Sequence, residues 1–596
     1  MVFRKDLITL ETDLLVIGGG LAGCMAAIKG REHEVKALIL EKSHTIASGQ
    51  AGSGIDHVWG YIPPVHEKMG WTIEDLVEDH MQGVAHGFGR RDLIRFVSRE
   101  IYPRLLDLET FGIKIRYQDS SLPGGFRLVY QFHSVPTSLN IDGYFLKKSL
   151  TREAKRRGVE ILNRVMVTDL LSENGKVTGA LAVGARDGKV YRIAAKSVIL
   201  AAGGKTGRLG RESTGCVRFN LHLPGSLSAD GKSLAFRAGL AIMNMEFLGA
   251  RRYGLANYET AGRPPRNSWQ PAAAIVDAQG KIVVPKTTFY EWGDLEKGYQ
   301  IDAAATRRQW LAQGAITPLG MPSRIDLLEK GPYYVDCTGA SEEEIRYVEW
   351  ALQNEGKCRQ LLKYLQEEGI DIRKDRIELG LGSRELGNLA AAGLIVDGNM
   401  ETTMQGLFAA GDEVGGIPFG ASSAAFTTGW HAGDMAGQFA RTRKSPLHTG
   451  EEALSRLQDL CTEIMSDRRG YSWREVEDSL QNIMDAYCAD VKTETMLARG
   501  LSRLLELKDA PLQASNPHDL TRCLEVKSLL DNAEMIFRTS LARKESRGKP
   551  FGFYRSDFPQ QDDANWYALS TIQRVNDEWR ISRIPLGPQE AVSANA

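Results

Sequence analysis

Gly18, Gly20 and Gly23 form a Gly-x-Gly-x-x-Gly run directly after the apolar DLLVI, and Glu41 closes the next apolar stretch, VKALIL. A turn of this kind brings backbone N–H groups to a helix N-terminus, where unpaired donors and the helix dipole favour a diphosphate. Gly18 permits the tight turn, Gly20 lets the backbone approach the phosphates and Gly23 lets the helix pack closely on the strand. A carboxylate at Glu41 suits the two hydroxyls of a ribose and repels a 2′-phosphate, so FAD or NAD is expected rather than NADP.

The loop that follows, KSHTIASGQAGSG, holds Lys42, Ser48, Gly49, Gly52, Ser53 and Gly54, mostly small residues that tolerate unusual dihedrals and expose N–H groups to a cofactor lying against them. Two further apolar runs end in glycine: KSVIL into Ala202-Gly203-Gly204, and LFAA into Gly411-Asp412. In FAD proteins resembling this one, such an aspartate binds a ribityl hydroxyl, which favours FAD over NAD. The run GGIPFGASSAAF places Ser422 and Ser423 at the start of a helix whose first N–H groups suit the flavin N1–C2=O edge.

For substrate chemistry the candidates are guanidinium forks and imidazoles. Arg251, Arg252, Arg263, Arg266 and Arg384 suit carboxylate, sulfonate, sulfate or phosphate, which a planar fork binds bidentately. His57 and His133 are candidate acid–base groups, with Asp56 placed to orient His57, and Trp59 and Tyr61 are candidates to stack near a flavin.

These residues need a scaffold. Strand, glycine turn, helix and second strand make a βαβ unit of about 30 residues, the setting a dinucleotide fingerprint requires. A strand meander with a turn at Asp187-Gly188 precedes KSVIL. The predicted fold is α/β: a Rossmann-like FAD-binding domain (1–245 and 374–440) interrupted by a Gly-, Pro- and Arg-rich capping domain (246–373). Apolar residues at helical spacing predict a C-terminal helical bundle over 441–545, followed by a tail at 546–596.

The 596 residues carry 42% hydrophobic and 25% charged side chains and a formal charge of -1, a balance that points to neither nucleic acid nor an anionic membrane. The 7 cysteines are never spaced as CxxC, so no metal site of recognisable type is expected and reduced thiols suit a cytoplasmic location. The opening residues lack the order of a signal peptide, and no run approaches the roughly 18 apolar residues of a membrane span.

Three C-terminal runs complete the set: LARKESRG over Leu541 to Gly548, then Tyr554 to Pro559 and Asp562 to Trp566, with Glu246-Phe247 upstream. With them the chain resembles the flavoprotein family of succinate dehydrogenase, fumarate reductase and L-aspartate oxidase, most of all the alpha subunit of dissimilatory adenylylsulfate (APS) reductase. The resemblance implies a FAD-dependent oxidoreductase subunit that exchanges two electrons with a small anionic substrate. It also implies a ferredoxin-like iron–sulfur partner, and hence a hetero-oligomer.

Covalent members of that family attach FAD through a histidine in a Ser-His-Thr run, and Ser43-His44-Thr45 looks like one. The family's histidine lies well beyond the second strand, however, whereas His44 follows Glu41 by three residues. Non-covalent FAD is therefore expected. Phe419, Gly420 and Ala421 stand where dicarboxylate enzymes carry an arginine, and Arg384 stands where APS reductase carries its active-site histidine; a guanidinium that stays protonated is no substitute for a neutral imidazole. Authentic APS reduction, a fumarate-reductase or aspartate-oxidase-like activity, and a non-catalytic electron-transfer role are the alternatives.

Overall fold

The computed structural model describes residues 6–587 apart from 86, 119, 121, 130–136, 211–223, 250–253, 256–271, 285, 287–329, 355–358, 381–384, 387–391, 445–448, 467–468, 548–552 and 577. Its centre is a seven-stranded sheet built on the first strand, Leu7–Ile17. Leu14 to Ile17 pair in parallel with Ala37 to Leu40 on one side and with Ser197 to Leu200 on the other. Buried on both faces, that stretch reads as an unbroken apolar run rather than an alternating one.

Glu160–Asn163 extends the sheet beyond Ala37–Glu41. On the opposite side the long strand Val190–Leu200 has two further neighbours. Its first half pairs antiparallel with Lys176–Gly184, which pairs in turn with Val165–Glu173, and its last residues pair in parallel with Leu407–Ala409. Segments about two hundred residues apart thus meet on one strand, and three glycine-ended strands finish side by side at one edge.

Two helices fix that edge. The fingerprint helix Leu21–Gly30 is almost wholly apolar and buried, and Ala421–Arg441 lies against it. Close approach is possible because Gly429 and Gly433 face Ala22 and Ala26: a Cβ would come within 2.5 Å of Ala22 O and 2.2 Å of Ala26 O.

The insertion is more regular than its composition predicts. Gly254–Leu255, Ile377–Gly380, Tyr333–Asp336, Ala274–Asp277 and Ile282–Val284 form a five-stranded sheet, with helices Glu342–Asn354 and Arg359–Glu367 beside it. Ile275, Val335, Val348, Leu352, Leu361 and Leu379 belong to a core separate from that of the main sheet. Because Ile377–Gly380 pairs with Tyr333–Asp336, this sheet runs past the boundary expected at 373.

Four helices follow: Glu451–Ile464, Trp473–Tyr487, Glu494–Lys508 and Pro517–Ala542. Their starts follow sequence rules. Ser472 and Glu475 form a reciprocal capping box, and Asn516 caps a helix that opens on Pro517. The tail folds back as the hairpin Ala568–Val575 and Glu578–Pro585, whose first strand pairs with Ile242–Met243. No helix among the described residues is long and apolar enough to cross a membrane.

Candidate functional site

At the edge where the strands finish lies a cleft lined from the ends of all three glycine-ended strands. Gly18 turns the chain at φ +99°, and a Cβ there would stand 2.5 Å from Ala201 O. Gly23 is equally tight, 1.9 Å from Gly18 O. Gly20 differs: it lines the cleft, and a Cβ on it would meet no protein atom within 4 Å. No side chain caps the helix that begins at Leu21, so its first N–H groups are left for a ligand, as a diphosphate site requires.

Glu41 is buried and lines the cleft. Its Oε2 accepts from Gly19 N at 2.7 Å and its Oε1 from Ser43 N at 2.6 Å. An ionised carboxylate has about four acceptor sites, which leaves capacity for ribose hydroxyls. Lys42 also borders the cleft, but its ammonium is committed to Ser228 Oγ at 2.6 Å, Asp230 Oδ2 at 2.5 Å and Glu525 Oε1 at 3.0 Å.

In the following loop Gly49, Gln50 and Ala51 line the cleft, whereas Ser48, Gly52, Ser53 and Gly54 do not. Ser48 Oγ donates to Gly19 O at 3.2 Å, and Gly52 packs against the loop's own Ala47 carbonyl. Those residues shape the loop from behind. His44 is exposed, away from the cleft, and its Nδ1 accepts from Ile46 N at 3.4 Å.

Ala202 and Gly203 border the cleft from the second segment and Gly411 and Asp412 from the third. Gly204 stands behind, where a Cβ would lie 1.8 Å from Lys232 Nζ. Lys205 Nζ is 3.2 Å from Asp412 Oδ1, and Lys232 Nζ donates to Gly204 O and, at 3.2 Å, to Asp412 O. Burial lowers the Lys232 ammonium and pushes the neighbouring Glu413 carboxyl up to about 7. Lys205, Lys232 and Glu413 were not singled out in the sequence, although Lys205 follows the Gly203-Gly204 pair directly.

The strand His57–Trp59 borders the same cleft. Asp56 is fully buried and its Oδ1 lies 2.6 Å from His57 Nδ1, and His57 lines the cleft. Ser422, also lining it, donates to His57 O at 3.3 Å, and Ser423, which does not, accepts from Trp59 N at 2.9 Å. Trp59 Nε1 donates to Phe419 O at 3.0 Å, so the glycine-rich loop before the second helix is fastened to the histidine strand. Trp59 stacks on His80 and Tyr61 donates to Trp71 O; both belong to the core rather than to the cleft. Arg251, Arg252, Arg263, Arg266, Arg384 and His133 lie outside the described residues. Among the described residues no group of three or more His, Cys, Asp or Glu is placed to hold a metal ion.

The cleft fits FAD on three observations: an uncapped helix start, an open face at Gly20, and an acidic residue at the end of the second strand. Comparison with known proteins agrees. A FAD binding domain model matches residues 13–424, and a fumarate reductase flavoprotein C-terminal model matches residues 477–593. A fumarate reductase (CoM/CoB) subunit of Methanothermobacter marburgensis is 27% identical, covering 92% of this chain and 95% of the relative. The fumarate reductase flavoprotein subunit of Escherichia coli is 23% identical, covering 91% and 88%.

Among solved structures, adenylylsulfate reductase from Archaeoglobus fulgidus superposes with a TM-score of 0.81 at 24% identity over 98% of this chain and 97% of that one. Quinol fumarate reductase of E. coli superposes at 0.73 and 19% identity, over 98% of both chains. The shared fold thus extends through cap, helices and tail. With the family match covering most of its length, the chain belongs to the FAD-dependent oxidoreductase family of the fumarate reductase and succinate dehydrogenase flavoproteins, and its cofactor is FAD.

Proposed function

We propose that this chain is the FAD-carrying subunit of a cytoplasmic enzyme that exchanges two electrons with a small anionic substrate and passes them to or from a ferredoxin-like iron–sulfur partner. The observation that carries the reading is the buried Asp56 carboxylate 2.6 Å from His57 Nδ1, on a histidine that lines the cleft. A carboxylate so placed fixes the ring's orientation and favours a proton on Nδ1, the arrangement an imidazole needs for proton transfer. FAD, when bound, supplies the electron pair; the protein supplies position and charge.

Arg251, Arg252 and Arg384 are the proposed anion clamp, on the strength of their chemistry and their positions around the cap in the sequence. The subunit status of the relatives supports a separate electron partner. A second reading, reduction of fumarate itself, draws on the names of those same relatives.

The test is anaerobic. The flavin is reduced, then mixed with fumarate, other small carboxylates and adenylylsulfate, and its absorbance is followed. Rapid reoxidation by one anion, slowed at least tenfold in Arg384→Ala with FAD retained, is the expected result. Fumarate as that anion selects the second reading. Reoxidation by an iron–sulfur protein alone would sink both in favour of a non-catalytic electron carrier.

A further inference from the structure

We propose that Lys147, which lies far from the fingerprint in sequence, is a buried cation of the dinucleotide site, acting on the diphosphate through the Gly19–Gly20 peptide. Lys147 is the second residue of the helix Leu146–Arg156 and is 2% exposed. Its Nζ donates to Gly19 O and lies 3.4 Å from Cys24 Sγ. No carboxylate among the described residues pairs with it.

A structural lysine does not explain that position. Burying an ammonium without an opposite charge is expensive. The first turn of a helix makes the cost larger, because the positive end of the dipole disfavours a cation there. A methionine of similar length would fill the same space at none of that cost. The arrangement becomes favourable when an anion binds nearby, and the anion this site is built for sits at the start of the fingerprint helix.

The route is a single peptide unit. Gly19 O accepts from Lys147 Nζ, from Ser48 Oγ at 3.2 Å and from Cys24 Sγ at 3.4 Å. In a trans peptide the N–H points opposite to the C=O. The Gly20 N–H therefore points away from these donors, on the residue whose open side faces the cleft. A charged donor on the carbonyl polarises the unit and strengthens the N–H at its other end, so Lys147 adds both field and hydrogen-bond strength at the phosphate seat.

The proposal concerns the FAD site and is independent of the substrate. Its test compares ligands that do and do not carry the diphosphate. Full-length protein stripped of flavin is titrated with FAD, ADP and adenosine, as wild type, Lys147→Met and Lys147→Gln. The glutamine variant keeps a donor for Gly19 O and loses the charge. Both variants are expected to weaken FAD and ADP about 10- to 100-fold and to leave adenosine unchanged, with a shallower salt dependence of ADP binding. An equal loss for adenosine and ADP would show a merely structural lysine, and unchanged FAD and ADP would show an inert one; either overturns the proposal. Should neither variant fold, the wild type decides. Thermal stabilisation by ADP that does not exceed that by adenosine removes the basis for a phosphate-directed cation.

Discussion

Single residues divide the fingerprint into architecture and binding. Gly23 has no room for a methyl group and Gly20 has ample room. Gly23→Ala is expected to destabilise by several kcal/mol, since the obstructing atom is backbone. Gly20→Val is expected to shift the melting temperature of the flavin-free protein by no more than about 2 °C while weakening FAD at least tenfold. Calorimetry alongside flavin-fluorescence titration separates the two. A Gly20→Val protein that binds FAD normally removes Gly20 from the phosphate seat.

Glu413 gives a second residue-scale prediction. Burial raises its carboxyl to about 7, Lys232 opposes the rise, and Asp230 and Asp412 add to it. An acid raised above its unfolded value of 4.5 stabilises the fold below that value and loses the contribution as pH climbs through about 7. Glu413→Gln should therefore gain on wild type by about 1–3 kcal/mol between pH 5 and pH 8. Unfolding midpoints at the two pH values check it, and a constant difference would falsify the assignment. Neither Glu413 nor Lys147 was legible beforehand. Each owes its character to segments distant in the chain, and no local pattern marks a lysine that will be buried.

At the scale of elements, period and punctuation carried the reading far. The βαβ unit, the meander and the C-terminal helices follow from apolar spacing and caps. The insertion did not, because its strands are two to four residues long and give periodicity too little length to register. Ile377–Gly380 gave as little signal: it follows a charged stretch and joins the five-stranded sheet only by long-range pairing. The packing of Ala421–Arg441 on the fingerprint helix yields the element-scale prediction. Gly433→Leu would drive a side chain into the Ala26 backbone and push apart the two helices whose starts border the cleft. Loss of at least 3 kcal/mol together with loss of bound flavin is expected, measured by denaturant unfolding and flavin content. Gly433→Ser, a smaller intrusion, should lie between. Full flavin occupancy in a folded Gly433→Leu protein would mean that the helix pair does not set the cleft.

Over the whole molecule, the FAD-binding and helical parts are joined by a buried charge network as well as by apolar contact. Glu525 on Pro517–Ala542 meets Lys42 at 3.0 Å beside the cleft and Arg208 at 2.7 Å, and Arg208 also holds Glu477 on Trp473–Tyr487 at 2.6 Å. Burial alone would raise the Glu525 carboxyl, but Lys42 and then Arg208 bring it down to about 2. The sign is opposite to that of Glu413: a depressed acid stabilises above its unfolded value and loses the contribution as pH falls toward 2. Glu525→Ala takes one carboxylate from Lys42, which keeps Asp230, and one from Arg208, which keeps Glu477, so a cost of about 1–3 kcal/mol is expected at pH 7, shrinking as pH falls from 4.5 toward 2 because the unfolded chain takes up its proton first. Because Lys42 follows Glu41 directly, the loss should also weaken FAD binding. Glu477→Ala, which leaves Lys42 with its partners, should destabilise while retaining FAD. Chemical unfolding at pH 7 and pH 3.5, with FAD affinity measured on both variants, tests the two claims. Equal flavin affinities in Glu525→Ala and Glu477→Ala would show that the helical part supports the fold without reaching the cofactor.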